Sequence, residues 1–287
     1  MVVVAVQGLS ICSAVWRCRG RLQPVLSVLH RRGFSMDTGI TADWCPPPIQ
    51  HLCRRGDNTV AYRKSEGKEP GVLFLPGFMS IMNGGKAQAL ERFCQKEGRG
   101  YIRFDYQGLG ESKGHLQPGE RAFDVWKSDA LAVLDQLTSG PQILVGSSMG
   151  GALMLLMTLE RPDRVQALIG IATAVNFGKS MSYTEHKQKE VSPDVQETSY
   201  ATPTDFVGAG YQRCLMGETV DIHCPVRLVH GMLDDTVPYT TSLGLAQRLA
   251  SRDVDVLLRK SGDHRLSEVS DLQVLVETLQ SMLGGKG

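Results

Sequence analysis

Two five-residue segments of this chain frame a serine with glycines in the pattern Gly-x-Ser-x-Gly: Gly110-Glu111-Ser112-Lys113-Gly114 and Gly146-Ser147-Ser148-Met149-Gly150. Such a serine performs acyl transfer when a tight turn lifts its hydroxyl clear of the backbone and small neighbours let a strand and a helix pack closely around it. Spacing does not separate the two segments, but their surroundings do. The second follows the apolar run Gln142-Ile143-Leu144-Val145 and leads into ALMLLMTL, so a buried strand, a turn and a buried helix are expected around Ser148. The first follows a loop and leads to His115 and Pro118, and Ser112 reads as a surface turn residue. Ser147 falls one residue early, on the strand side of the turn.

A serine hydroxyl is a weak nucleophile at neutral pH and needs a base, itself held in one tautomer by a third group. Around an elbow of this kind the chain order is serine, then acid, then histidine. Four of the seven histidines follow Ser148: His186, His223, His230 and His264. His186 lies in an irregular stretch, His223 precedes a strand, and His230 ends that strand ahead of any well-placed acid. His264 falls in Ser261-Gly262-Asp263-His264-Arg265, a small-residue loop between the last expected strand and the last helix, where the base belongs. The acid is assigned to Asp234 in HGMLDDTVP, with Asp235 as its near rival. Asp263 reads as a turn or capping residue. Negative charge developing on the attacked carbonyl calls for two backbone N–H donors. Met149 supplies one and Phe78, in Leu75-Pro76-Gly77-Phe78-Met79, the other. Pro76 cannot donate but stiffens the approach.

From about residue 48 the chain alternates short apolar runs with longer amphipathic ones, the pattern of a sheet covered by helices. IQHLC, TVAYRK, GVLFLPG, YIRFDYQG, PQILVG, VQALIGIATA, CPVRLVHG and VDVLLRK read as strands. KAQALERFCQKEG, the stretch from Ala122 to Leu137, GGALMLLMTLE and DLQVLVETLQSML read as helices. The expectation is one α/β domain over residues 45–287, with an eight-stranded, mostly parallel, doubly wound sheet. Residues 176–219 break the regularity and read as a short lid insertion. Its Lys179, His186, Lys187 and Lys189 read first as a solvated charged loop, and second as contacts for an anionic substrate.

The first 36 residues hold five arginines (Arg17, Arg19, Arg21, Arg31, Arg32), several serines and no acid. That composition suits a mitochondrial transit peptide over residues 1–34, cleaved after Phe34 and addressed to the matrix. The rival reading, a secretory or membrane anchor over residues 1–16, is too short to span a bilayer and carries its charge on the wrong side. Loss of the five arginines takes the formal charge from +1 to −4. No basic stripe follows a nucleic-acid backbone, so nucleic acid is not an expected partner. Seven cysteines without a CxxC pair point to free thiols rather than a disulfide framework. No cofactor, metal or stable membrane span is expected.

Taken in order, Pro76-Gly77, DYQGLGES, GSSMGG, HGMLDDTVP and RKSGDHR resemble the alpha/beta-hydrolase superfamily over about residues 48–285. More narrowly, PGFMSIMNGGKA, RFDYQGLGES, GPQILVGSSMGG and VDVLLRKSGDHR resemble the mitochondrial palmitoyl-protein thioesterases that also cleave acyl glucuronides. The resemblance implies an acyl-serine intermediate, with S-acylated protein or a small-molecule acyl ester as substrate. The alternatives are a small-molecule carboxylesterase or acyl-CoA thioesterase, a peptidase or carbon–carbon hydrolase on the same scaffold, and a non-catalytic binding protein.

Overall fold

The computed structural model describes residues 3–7, 44–117, 119–175, 215 and 219–284. Their strands are β1 (Val3–Gln7), β2 (Gln50–Cys53), β3 (Thr59–Ser65), β4 (Lys68–Leu75), β5 (Arg99–Phe104), β6 (Gln142–Ser147), β7 (Val165–Ile171), β8 (Val226–Gly231) and β9 (Val254–Arg259). The helices are α1 (Gly85–Lys96), α2 (Ala122–Leu137), α3 (Met149–Glu160), α4 (Thr240–Arg248) and α5 (Val269–Leu283), with a 3₁₀ turn at Pro162–Arg164.

Val72, Leu73, Phe74 and Leu75 are all buried because both faces of the sheet are covered. Leu73 and Leu75 join one core, which includes Trp126 and Val133 of α2 and Leu153 of α3. Val72 and Phe74 join another, with Leu90 of α1 and Leu275 and Leu279 of α5. β6 divides in the same way, Leu144 to the first core and Ile143 and Val145 to the second. Burying one such side chain contributes about 1.5–3 kcal/mol.

The sheet order is β1-β9-β8-β7-β6-β4-β5-β3-β2. Only β3 runs against the rest, antiparallel to both β2 and β5. The expected α/β class is found, and eight of the strands lie where the sequence places them. The ninth, β1, falls inside residues 1–34, the expected leader, and pairs in parallel with β9 at the sheet edge. Residues 176–214, with Lys179, His186, Lys187 and Lys189, lie outside the described residues.

Ser112 differs from its expected place on the surface. It is 7% exposed, its hydroxyl donates to Asp105 O at 2.6 Å, and its Oγ accepts the Ala61 N–H at 2.7 Å. Those partners sit in and just after separate strands, so the serine stitches the 105–112 loop to β3.

Candidate active site

The turn from β6 into α3 is built by what its neighbours lack. A Cβ on Gly150 would lie 2.2 Å from Leu75 O, and one on Gly146 would lie 2.5 Å from Gly150 O. Glycine at both positions lets α3 approach β4 and β6 closely enough to force the bend. Ser148, at the apex, has φ 52° and ψ −116°, a conformation that costs an L-residue on the order of 1–3 kcal/mol. The surroundings hold it there. Ser148 N–H donates to Ile171 O at 2.8 Å, and Ser148 O accepts Gly151 N–H at 3.0 Å and Ala174 N–H at 3.1 Å.

The loops after β8 and β9 are zipped together beside this turn. Met232 N–H donates to Arg259 O at 2.8 Å, and Leu233 N–H to Gly262 O at 2.9 Å. Asp263 accepts the N–H groups of Arg265 and Leu266 on Oδ1 at 3.0 and 2.9 Å, the turn-forming role its sequence suggests. Lys86, at the start of α1, donates to Arg265 O. Partial burial lowers its amine to about 8, against the pull of Asp263.

The structure brings Ser148, His264 and Asp234 together. His264 Nε2 stands 3.1 Å from Ser148 Oγ, and His264 Nδ1 stands 2.7 Å from Asp234 Oδ2. The other carboxylate oxygen, Oδ1, accepts Thr236 N–H at 2.9 Å and Val237 N–H at 2.7 Å. Burial alone would raise the Asp234 carboxyl. Hydrogen bonds from His230, His264 and the Val237 amide outweigh it and hold the group well below the ordinary carboxylate value. Asp234 is therefore ionised where it faces His264 Nδ1.

Asp235 takes no part in this contact: exposed, it accepts the Thr236 hydroxyl at 3.2 Å. His223 is exposed and paired with Asp221 at 2.7 Å, and His186 lies outside the described residues. His230, set aside as the base because it precedes the acid, contacts that acid from within the core. The ring is fully buried, with Nε2 3.1 Å from Asp234 Oδ2.

The loop after β4 passes beside the serine, where a Cβ on Gly77 would lie 3.4 Å from Ser148 Cβ. Pro76 O accepts the buried Tyr106 hydroxyl at 3.1 Å. Phe78 packs its ring 6.1 Å, centroid to centroid, from Trp126. Further along, Met82 N–H donates to Asp105 Oδ1 at 2.5 Å and Met82 O accepts from Arg103 at 2.8 Å. Arg103 is itself paired with Glu91 at 2.8 Å in a fully buried contact. Phe78 is thus carried on a loop pinned at Pro76 and Met82, while Met149 begins α3 directly after the serine.

The sequence marks His230 only as a rejected base and gives no role to Ser242, Tyr106 or Asp105. The four-residue interval from His230 to Asp234 was a usable signal for the first; the others act across elements far apart in the chain. Among the described residues no group of three or more His, Cys, Asp or Glu side chains is placed to hold a metal ion. No described helix is long and apolar enough to cross a membrane.

Residues 70–203 match the family model for the alpha/beta hydrolase fold. The chain is 42% identical over 247 residues to "Palmitoyl-protein thioesterase ABHD10, mitochondrial" of Bos taurus, covering 82% of this chain and 80% of that protein. To the Homo sapiens protein of the same name it is 43% identical over 235 residues, covering 78% and 76%. Among solved structures, mouse alpha/beta hydrolase domain-containing protein 10 superposes with a TM-score of 0.71 at 38% identity, covering 82% of this chain and 98% of that one. With this identity running through most of the chain and the elbow seated on the matching sheet, the chain is a hydrolase of the alpha/beta-hydrolase family.

Proposed function

We propose that this protein cleaves acyl thioesters and esters through an acyl-Ser148 intermediate, acting on S-acylated protein cysteines and on acyl glucuronides. The observation that carries the reading is the unbroken chain of contacts from Ser148 Oγ through His264 to Asp234, at 3.1 and 2.7 Å. Ser148 Oγ attacks the acyl carbon while His264 Nε2 takes its proton, and Asp234 stabilises the imidazolium that forms. The amides of Met149 and Phe78 receive the oxyanion; each such donor is worth about 10² to 10³ in rate. Collapse of the tetrahedral adduct breaks the carbon–sulfur or carbon–oxygen bond, and His264 returns the proton to the leaving thiol or hydroxyl. Water, deprotonated by His264, then attacks the acyl-enzyme and releases the carboxylic acid, restoring Ser148.

The names of the ABHD10 relatives support the thioester substrate and a mitochondrial address. The Arg-rich, acid-free residues 1–34 support import to the matrix with cleavage after Phe34; residues 176–219 are the lid on this reading. A fluorophosphonate probe should label the wild-type protein and leave Ser148→Ala unlabelled. A panel of palmitoyl thioester, acyl glucuronide and peptide substrates then ranks the chemistries. Failure of folded wild type to label, or turnover of the peptide alone, sinks the proposal. Sequencing the N-terminus of protein recovered from mitochondria should begin at Ser35, and an intact Met1 there overturns the leader.

A further inference from the structure

The group beneath Asp234 is as tightly specified as the group above it. His230 ends β8 with a ring that is fully buried, and Ser242 in α4 is buried beside it. His230 Nε2 lies 2.9 Å from Val237 O and 3.1 Å from Asp234 Oδ2. A backbone carbonyl only accepts, so Nε2 carries a hydrogen and shares it between the carbonyl and the carboxylate. Nδ1 lies 2.7 Å from Ser242 Oγ, and the serine O–H donates to it. Ser242 thereby fixes the tautomer of His230 as Asp234 fixes that of His264.

We propose that His230 is a positioning residue for Asp234, donating to the same carboxylate oxygen that orients His264, with Ser242 setting the direction of that donation. This inference rests on the acyl-serine reading above. Asp234 Oδ1 is occupied by the Thr236 and Val237 amides, so Oδ2 alone is left to serve the base. On Oδ2 the His230 contact does two things: it locks the carboxylate against rotation, and it draws off part of the negative charge that faces His264. Removing it leaves a carboxylate that is looser and more strongly attractive to a proton on His264. The other charges at that loop, Lys86 of α1, Asp263 and Arg265, are unchanged by the substitutions below.

The test compares His230→Gln, His230→Asn, His230→Leu and Ser242→Ala with wild type, using p-nitrophenyl butyrate and counting active sites by fluorophosphonate incorporation. The glutamine amide nitrogen reaches the position of Nε2, whereas the asparagine nitrogen reaches only that of Nδ1. Per counted site, His230→Leu and His230→Asn should lose about 10- to 100-fold in kcat, as expected for a misplaced reacting group, with little change in KM. His230→Gln should recover most of the loss. In His230→Leu the acidic limb of the kcat/KM profile should move to higher pH, because His264 holds its proton more tightly. Ser242→Ala, which keeps the ring, should fall between wild type and His230→Asn. A merely structural role lowers the number of labelled sites but leaves kcat per site and the acidic limb in place, and that result overturns the inference, as does equal activity of the glutamine and asparagine variants. Absence of labelling in folded wild type removes the acyl-serine reading and this inference with it, an outcome distinct from labelled but unaltered variants.

Discussion

Asp234 Oδ2 and His264 Nδ1 lie 2.7 Å apart across thirty residues of chain, while the adjacent Asp235 turns its carboxylate to Thr236. Neutralising the two aspartates should therefore give opposite results. Asp234→Asn should cost about 10² to 10⁴ in kcat, the scale of an impaired general base. Asp235→Asn should keep wild-type kcat, and steady-state kinetics on one ester substrate separates the two.

The two serines framed by glycines should divide along a different line. Ser112→Ala removes a hydroxyl that both donates and accepts in a buried place, so it should lower unfolding free energy by about 1–3 kcal/mol. Its labelling by a fluorophosphonate, per folded molecule, should match wild type. Ser148→Ala should label not at all. Urea unfolding and probe incorporation, measured on the same preparations, read both effects.

Tyr106→Phe deletes one buried hydroxyl and leaves Pro76 O without its donor. Stability should drop by about 1–3 kcal/mol. The larger signature is kinetic: kcat should fall with KM nearly constant, because on the proposed mechanism the loosened 76–78 segment carries a donor that engages most strongly once the oxyanion forms. Unchanged kcat would separate the tyrosine from the oxyanion loop.

Two buried carboxylates should pull the pH dependence of stability in opposite directions. Asp234 is held below its ordinary value, so its contribution is complete above the unfolded carboxyl value of 3.8 and lost as pH falls through its lower folded value. Asp105 is pushed up from 3.8 to about 6, chiefly by burial and against the hydrogen bonds from the Glu111 and Met82 amides. Its contribution is complete below 3.8 and lost as pH rises through about 6. The deficit of an Asp105→Asn variant relative to wild type should accordingly shrink as pH rises across that window, as measured by urea unfolding. A deficit that grows with pH contradicts the assignment.

Where an assignment depended on contiguous residues, the sequence was legible. The runs around Ser148 declare a buried strand and a buried helix, and the order of Ser148, Asp234 and His264 follows from which loops the sheet brings to one end. Ser112 misled because its burial depends on Ala61 and Asp105, which no local pattern joins. His230 was weighed only as a base and set aside because it precedes the acid; chain order does not show that the turn after β8 folds Asp234 back onto it within four residues. The composition of residues 1–34 does not announce the pairing of Val3–Gln7 with β9, because the partner lies some 250 residues away and only the fold supplies it.

Every backbone hydrogen-bonding group of Ser148 is committed: the N–H to the end of β7, and the carbonyl to Gly151 and Ala174. A bend tied off on three sides is held by the fold itself, so on the proposed acyl-serine reading Ser148 is presented before any acyl chain arrives. On that reading an inhibitor aimed at Ser148 should need no prior assembly of the elbow.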